Sequence, residues 1–502
     1  MESEFVMPEE YDSSLPAAQG TLTVPRIVFL VVAAASPLAA VVATLPLALA
    51  VGAGPTTPLM YLIAGAILLC FAVGYAAMSR RVVAPGGFYS YVAVGLGRRA
   101  AAVAAFVALI SYNALAVMLV ATFGYFSRLV LADSGIDLPW EAYSAAAVVA
   151  VGVLGCRRID VSARVLGILV AAELAVLVVF NTAVLSEEGV RALPIGAFDV
   201  TELTQAGLGL GLMFAFTSFL GFEAAALYSE EAREPRRTVA LATYVSVAVV
   251  AVFYGLTSWI SVGALGIDGV REAAQTQLGD LILHLADERL GSAFSAVMTV
   301  LLLTGLFATL LACHNSTNRL TSAIGREGLL PSALGRFHPR LCAPVRASLL
   351  QTTVNVLVVG AFAAFGANPY STLAVSMSAL GTLGMVFLQA ITAFAIVAYF
   401  WRTTDRRGWR PMLASLIGGS GLSIAVVLII VHYQELTGVD NVVVNRLPLL
   451  LVFAGVAAAG YAEWLRRHRP DRFGAIGESA YARSAPAERE TTPNDRPAHH
   501  LH

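Results

Sequence analysis

The stretch Gly207–Glu231, GLGLGLMFAFTSFLGFEAAALYSEE, decides how the rest of the chain is read. Its apolar run is long enough to cross a bilayer, whose hydrocarbon core of about 30 Å takes roughly 20 helical residues. Its middle, Phe216-Thr217-Ser218-Phe219-Leu220-Gly221, holds two hydroxyls and a glycine. Those are the residue types at which a membrane helix breaks and exposes backbone groups. Glu223 follows at once. An ionisable group at membrane depth is costly unless it faces protein or water, so it marks a functional site by default. Thr217–Glu223 therefore reads as the lining of a solute-binding site. Glu223 has a structural reading too, as a cap on the half-helix that starts near Gly221.

Composition sets the class. The 502 residues are 58% hydrophobic and 13% charged, with a mean hydropathy of +0.75. Soluble domains carry about 25% charged residues, so the chain reads as an all-α polytopic membrane protein. A formal net charge of −1 argues against a nucleic-acid partner. The four cysteines (Cys70, Cys156, Cys313, Cys342) show neither metal nor redox spacing, and the terminal histidines do not suggest a metal site. All 32 basic side chains are arginines, so a proton carrier must be a carboxyl or a histidine.

Counting apolar runs gives about twelve spans. They are Ile27–Val51, Thr57–Ser79, Ala100–Ser127, Ala142–Gly155, Val161–Leu185, Leu203–Ser229, Val239–Leu265, Ser292–Thr317, Ala347–Phe365, Ser371–Phe400, Met412–His432 and Leu447–Leu465. Twenty-one arginines fall in one set of loops and flanks, among them Arg80-Arg81, Arg98-Arg99, Arg157-Arg158 and Arg236-Arg237. Only Arg128, Arg191, Arg271, Arg289 and Arg446 fall in the other set, which is acidic. The positive-inside rule then puts both termini in the cytoplasm, at the cell membrane. Residues 1–25 read as an acidic cytoplasmic tail, and 467–502 as a disordered one.

Span one carries Ser36-Pro37 and then Leu45-Pro46, so it is expected to kink or break. A simple proline kink is the plainer alternative. Span six is the other span with a breaking signature, five elements later. Five is odd, so two five-span units would be related by inverted topology, with a site between them at the midplane. Glu173 is the other deep carboxylate, in span five, where it either couples transport to protons or bonds a neighbouring hydroxyl. Asn113, in Ser111-Tyr112-Asn113 of span three, is a candidate to hydrogen-bond a solute. His314 reads as an interfacial or satisfied core histidine.

Three stretches resemble one family. Phe216–Thr238, FTSFLGFEAAALYSEEAREPRRT, resembles the span-six signature of the amino acid–polyamine–organocation permeases. Ser79–Arg99, with Pro85-Gly86-Gly87-Phe88-Tyr89-Ser90-Tyr91, is similar to the family's second inner loop. Asn318–Ser348, with Arg326-Glu327-Gly328 and Pro331, is similar to its loop after span eight. The resemblance covers roughly residues 25–465. It implies a LeuT-like fold of 5+5 inverted repeats (about 26–186 and 200–402) plus two further helices (about 411–466), all within a transporter domain of 26–466. It implies that solute sits between broken spans one and six, against Pro37, Ala39, Ala40, Val41, Asn113, Phe216, Thr217, Ser218, Phe219 and Gly221. By position, Glu223 matches the family's gate glutamate, and Glu173 falls where members carry a group at a cation-site position. The chain departs from the pattern at Pro37-Leu38-Ala39-Ala40-Val41, where members have a glycine-rich break that binds a carboxylate. Amines therefore gain weight as solutes.

The expectation is a secondary transporter that imports an amino acid or small organic amine by alternating access. The proton gradient drives it, and no cofactor or metal is required. An exchanger of such solutes is the alternative. A membrane-embedded enzyme would need a metal or nucleophile cluster, such as His-Glu-x-x-His, which the spans lack. A non-transporting sensor would need a sizeable soluble domain.

Overall fold

A computed structural model describes residues 23–82, 87–133, 135–157, 163–222, 235–341, 343–403, 408–437 and 441–478. Among them every regular element is helical, and each expected span coincides with a helix over most of its described residues, the second part of the sixth (from residue 223) lying outside them. In chain order the main helices are α1 (Val24–Ala35), α2 (Pro37–Ala50), α3 (Thr57–Ser79), α4 (Phe88–Leu96), α5 (Arg98–Asp133) and α6 (Trp140–Cys156). Then come α7 (Ala163–Glu188), α8 (Gln205–Phe219), α9 (Pro235–Leu265), α10 (Val270–Gln277), α11 (Leu281–Leu290) and α12 (Ser292–Arg326). The last are α13 (Val345–Ala364), α14 (Val375–Arg402), α15 (Trp409–Val431), α16 (Leu447–His468) and α17 (Pro470–Ala475). Nine helices among the described residues are long and apolar enough to span, and three shorter apolar ones accompany them. The protein is a multi-pass membrane protein.

Span one is two helices. Ser36, between α1 and α2, sits in the left-handed region at φ 43°, ψ 79°. The ring of Pro37 disfavours the right-handed helical conformation for the residue before it, and the left-handed one costs an L-residue about 1–2 kcal/mol. Further on, Ala40–Thr44 widens into a π turn just before Leu45-Pro46. Pro46 has no N–H and its ring crowds the carbonyl one turn back, which the wider turn relieves. Span six stops at Phe219, where Leu220 turns extended (ψ 136°) and Gly221 takes φ 108°, a value only glycine adopts readily.

Helix pairs set the bundle. α3 packs along α9, α5 lies between α12 and α14, and α8 rests on α2, α3, α14 and α15. Lipid tails are as apolar as leucine, so close backbone approach rather than hydrophobic burial joins these helices. A Cβ on Gly95 of α4 would lie 2.2 Å from the Ala395 carbonyl oxygen of α14, and one on Gly418 of α15 would lie 2.6 Å from the Phe71 amide nitrogen of α3. At one end of the bundle, Arg289 of α11 donates to Glu187 Oε2 (2.5 Å) and Glu188 Oε1 (2.8 Å), closing α7 onto α11. Those hydrogen bonds raise the pKa of its guanidinium above the ordinary arginine value.

The expectation of a disordered tail from residue 467 is corrected over 467–478; residues 479–502 lie outside the described residues. α16 runs to His468, α17 follows, and Ile476 is completely buried. The tail's polar composition hid one apolar anchor.

Candidate functional site

The break in span one is held from behind by Glu173. This side chain projects from α7 and is 1% exposed. Its Oε2 accepts the Leu38 N–H at 3.3 Å, at the start of α2 where Pro37 has no N–H to donate. The carboxylate thus faces the positive end of α2, where negative charge is favoured. On the other side lies Gly305 of α12, where an added Cβ would stand 2.3 Å from Oε1. Beside it the Ser36 hydroxyl is buried and has no hydrogen-bond partner among the described residues.

Span six contributes two hydroxyls whose protons are committed. Thr217 Oγ1 donates to the Met213 carbonyl one turn back (2.9 Å) and lies 2.7 Å from Thr382 Oγ1 and 3.4 Å from Ser378 Oγ of α14. Ser218 Oγ donates to the Phe214 carbonyl (3.1 Å) and lies 3.2 Å from Tyr61 Oη of α3. A hydroxyl has one proton and two lone pairs, so with those protons used, both groups present acceptors. They tie α8 to α14 and α3 at the point where it ends.

Between the two breaks lies a cavity of about 850 Å³. Its middle is walled by Ser36, Ala39, Ala40, Leu115, Met118, Phe214, Thr217, Ser218 and Leu306. At one end it is sealed. Tyr370 Oη donates to the Ala43 carbonyl (2.7 Å), and its ring stacks on Tyr125 with centroids 4.6 Å apart. Beyond it, Gln275 and Arg271 of α10 donate to the Ala50 carbonyl at 3.1 and 3.3 Å, fixing the far end of α2. At the other end the cavity reaches Arg319, Arg326, Glu327, Phe337 and Glu478, a mouth at the arginine-rich face. Among the described lining residues, charged side chains occur only at that mouth.

Of the residues expected from sequence, Ala39, Ala40, Thr217, Ser218 and Gly221 line this cavity. Pro37, Val41, Asn113, Phe216 and Phe219 do not. Asn113 donates instead to its own helix at Leu109 O (2.7 Å), and the neighbouring Tyr112 is on the wall. Pro37, Val41, Phe216 and Phe219 are buried among the helices, with Phe219 against Gly65. Glu173 stands one layer behind the wall, and Glu223 lies outside the described residues. His314 Nε2 is 2.8 Å from Ser348 Oγ between α12 and α13, away from the cavity. Sequence reasoning missed Tyr370, whose signal was the Asn368-Pro369 turn in front of it; Asn368 Oδ1 accepts from the Tyr370 and Ser371 amides at 2.9 Å.

A family model described as amino acid permease matches residues 22–455. The chain is 24% identical over 331 residues to the methylthioribose transporter of Bacillus subtilis (strain 168), which covers 62% of this chain and 68% of that protein. It is 25% identical over 351 residues to the branched-chain amino acid permease BcaP of Lactococcus lactis subsp. cremoris (strain MG1363), covering 66% and 72%. It is 23% identical over 307 residues to the cystine/glutamate transporter of Pongo abelii, covering 60% of each.

Proposed function

The chain belongs to the amino acid permease family, a transporter of amino acid type rather than an enzyme, and on that premise we propose that it is a proton-coupled importer working by alternating access. Its solute is an amino acid or small organic amine with an apolar body. The observation that carries the reading is the cavity between two broken spans, sealed by Tyr370 at one end and reaching the arginine-rich mouth at the other.

The wall chemistry supports the solute class. Its middle is alanine, leucine, methionine and phenylalanine, which suit an apolar group. The ammonium of the solute donates to acceptors at the end of α8, where Thr217 and Ser218 offer lone pairs and the helix dipole is negative. A carboxylate has less to bind: the Leu38 N–H at the start of α2 already serves Glu173. Two relatives named for methylthioribose and for branched-chain amino acids fit a site that accepts apolar groups.

In this reading Glu173 and Glu223 carry the coupling proton, the two five-span units are inverted repeats, and the mouth faces the cytoplasm. Moving one charge across 100 mV is worth about 2.3 kcal/mol, so a neutralised carboxyl crosses conformations more readily than a carboxylate. The test is uptake into proteoliposomes with an imposed pH gradient, pairing each amino acid with its decarboxylated amine. Gradient-driven accumulation of apolar members is the expected result. Counterflow without any response to the gradient would replace the importer by an exchanger, and no uptake of any solute would overturn both.

A further inference from the structure

The arginine-rich mouth has a wall that comes from the end of the chain. After α17 the backbone turns at Gly477 (φ 72°), and Ala475 and Glu478 line the cavity. Ile476 is completely buried in an apolar nest that includes Tyr89, Ala101, Ala105, Ile324 and Leu465. Its carbonyl accepts from Arg98 Nε at 3.2 Å. The Gly477 N–H donates to Tyr89 Oη (3.0 Å) and to Glu327 Oε2 (3.1 Å), and Tyr89 Oη itself donates to Glu327 Oε2.

Tyr89 and Glu327 are the centres of two inner-loop motifs that stand 238 residues apart in the chain. One is on α4, and the other directly follows α12. Their contact spans the mouth, and the C-terminal segment closes it into a triangle. We propose that this pair is a seat for the chain's own residues 470–478, and that the seated segment is a strap that narrows the mouth. The backbone at Gly477 is what makes the seat selective. Only a residue at ease with positive φ presents its N–H to both acceptors at once.

The strap is held by the buried Ile476, by Phe473 packed partly buried against the same cluster, and by a few hydrogen bonds at the protein edge, the kind of local unit that opens without global unfolding. When it leaves, Tyr89 and Glu327 lose their shared donor, and the mouth loses the wall formed by Ala475 and Glu478. Entry to the cavity from this side therefore depends on the docking of a segment far from the solute. The inference concerns access alone and holds whether or not the solute class proposed above is right.

Cys313 lines the cavity and serves as a native reporter. The experiment uses purified full-length protein in which Cys70, Cys156 and Cys342 are serine, and measures the rate of maleimide labelling of Cys313. Gly477→Pro removes the N–H and the positive φ; Ile476→Asp removes the anchor. Each is expected to raise the labelling rate roughly fivefold or more, a factor that for Gly477→Pro corresponds to the net loss of one hydrogen bond. A parallel variant that keeps only Cys70, a thiol in span two, is expected to label at the parent rate. Unchanged Cys313 labelling in both strap variants would overturn the proposal. A matching rise at Cys70 would overturn it too, because the effect would then be general loosening.

Discussion

Replacing Glu173 separates the cap on α2 seen in the geometry from the coupling role proposed for the same side chain. As a cap, its Oε2 takes the Leu38 N–H at 3.3 Å, and at 1% exposure no bulk water stands ready to replace it. A buried donor left without an acceptor costs about 1–3 kcal/mol, and a hydrogen bond to a charged group contributes about 1.5–3 kcal/mol. The 3.3 Å separation lies just beyond the usual range, which points to the lower part of both figures. Glu173→Ala should therefore destabilise the protein by about 1–2 kcal/mol. Glu173→Gln keeps an oxygen that accepts from Leu38 but has no proton to exchange, so its stability should stay within about 1 kcal/mol of the parent. The two variants are compared by thermal unfolding in detergent and by transport in proteoliposomes. The glutamine variant should retain counterflow and lose accumulation driven by a pH gradient. Parent-like accumulation by Glu173→Gln would refute the coupling role. An alanine variant as stable as the parent would refute the cap.

Thr217→Val removes the oxygen 2.7 Å from Thr382 Oγ1, a fully buried hydroxyl. Uptake should fall with a loss of about 1 kcal/mol in stability, and parent-like uptake kinetics would remove Thr217 from the site. Tyr370→Phe keeps the ring stack on Tyr125 but loses the hydrogen bond to the Ala43 carbonyl. The sealed end should open about fivefold more often, read by labelling of Thr122→Cys from that side, and an unchanged rate would take Tyr370 out of the seal. Ser36→Gly avoids about 1–2 kcal/mol of left-handed strain that Ser36→Ala retains, against about 0.4–1 kcal/mol of extra unfolded-chain entropy. The glycine variant should therefore melt above the alanine variant, and the reverse order would mean that the backbone at Ser36 is unstrained.

The spans were legible because apolar length is a local property that needs no knowledge of neighbours. The direction in which each side chain points was less so. Successive residues on a helix are about 100° apart, which is why Tyr112 reaches the cavity and Asn113 does not. The same rotation puts Thr217 and Ser218 on the wall and hides Phe216 and Phe219. Two prolines announced that span one was irregular. They did not reveal that one irregularity is a single left-handed serine and the other a π turn. Ile476 was invisible for a different reason: a few scattered apolar residues in a polar tail show no sustained periodicity to detect, and its burial follows from a groove built by residues far away in sequence.

The two breaks are made differently, and that difference bears on how the site moves. In span six the chain turns at a glycine, so little strain is stored there. In span one the strain sits in Ser36 and persists because neighbours over-determine it. Glu173 grips the start of α2, Tyr370 its middle, and Gln275 and Arg271 its far end. Four side chains from three other parts of the chain thus hold one short helix, whereas a single strained residue joins it to α1. Under the alternating access proposed above, α2 moves only when its far grips release, and α1 swings about Ser36 without disturbing them. If Glu173 carries the coupling proton as proposed above, its protonation weakens the grip at the junction itself, so one residue would both carry the charge and set the hinge. In that proposal coupling needs no relay through the cavity, because the carboxyl bonds the Leu38 amide, two residues from the hinge at Ser36.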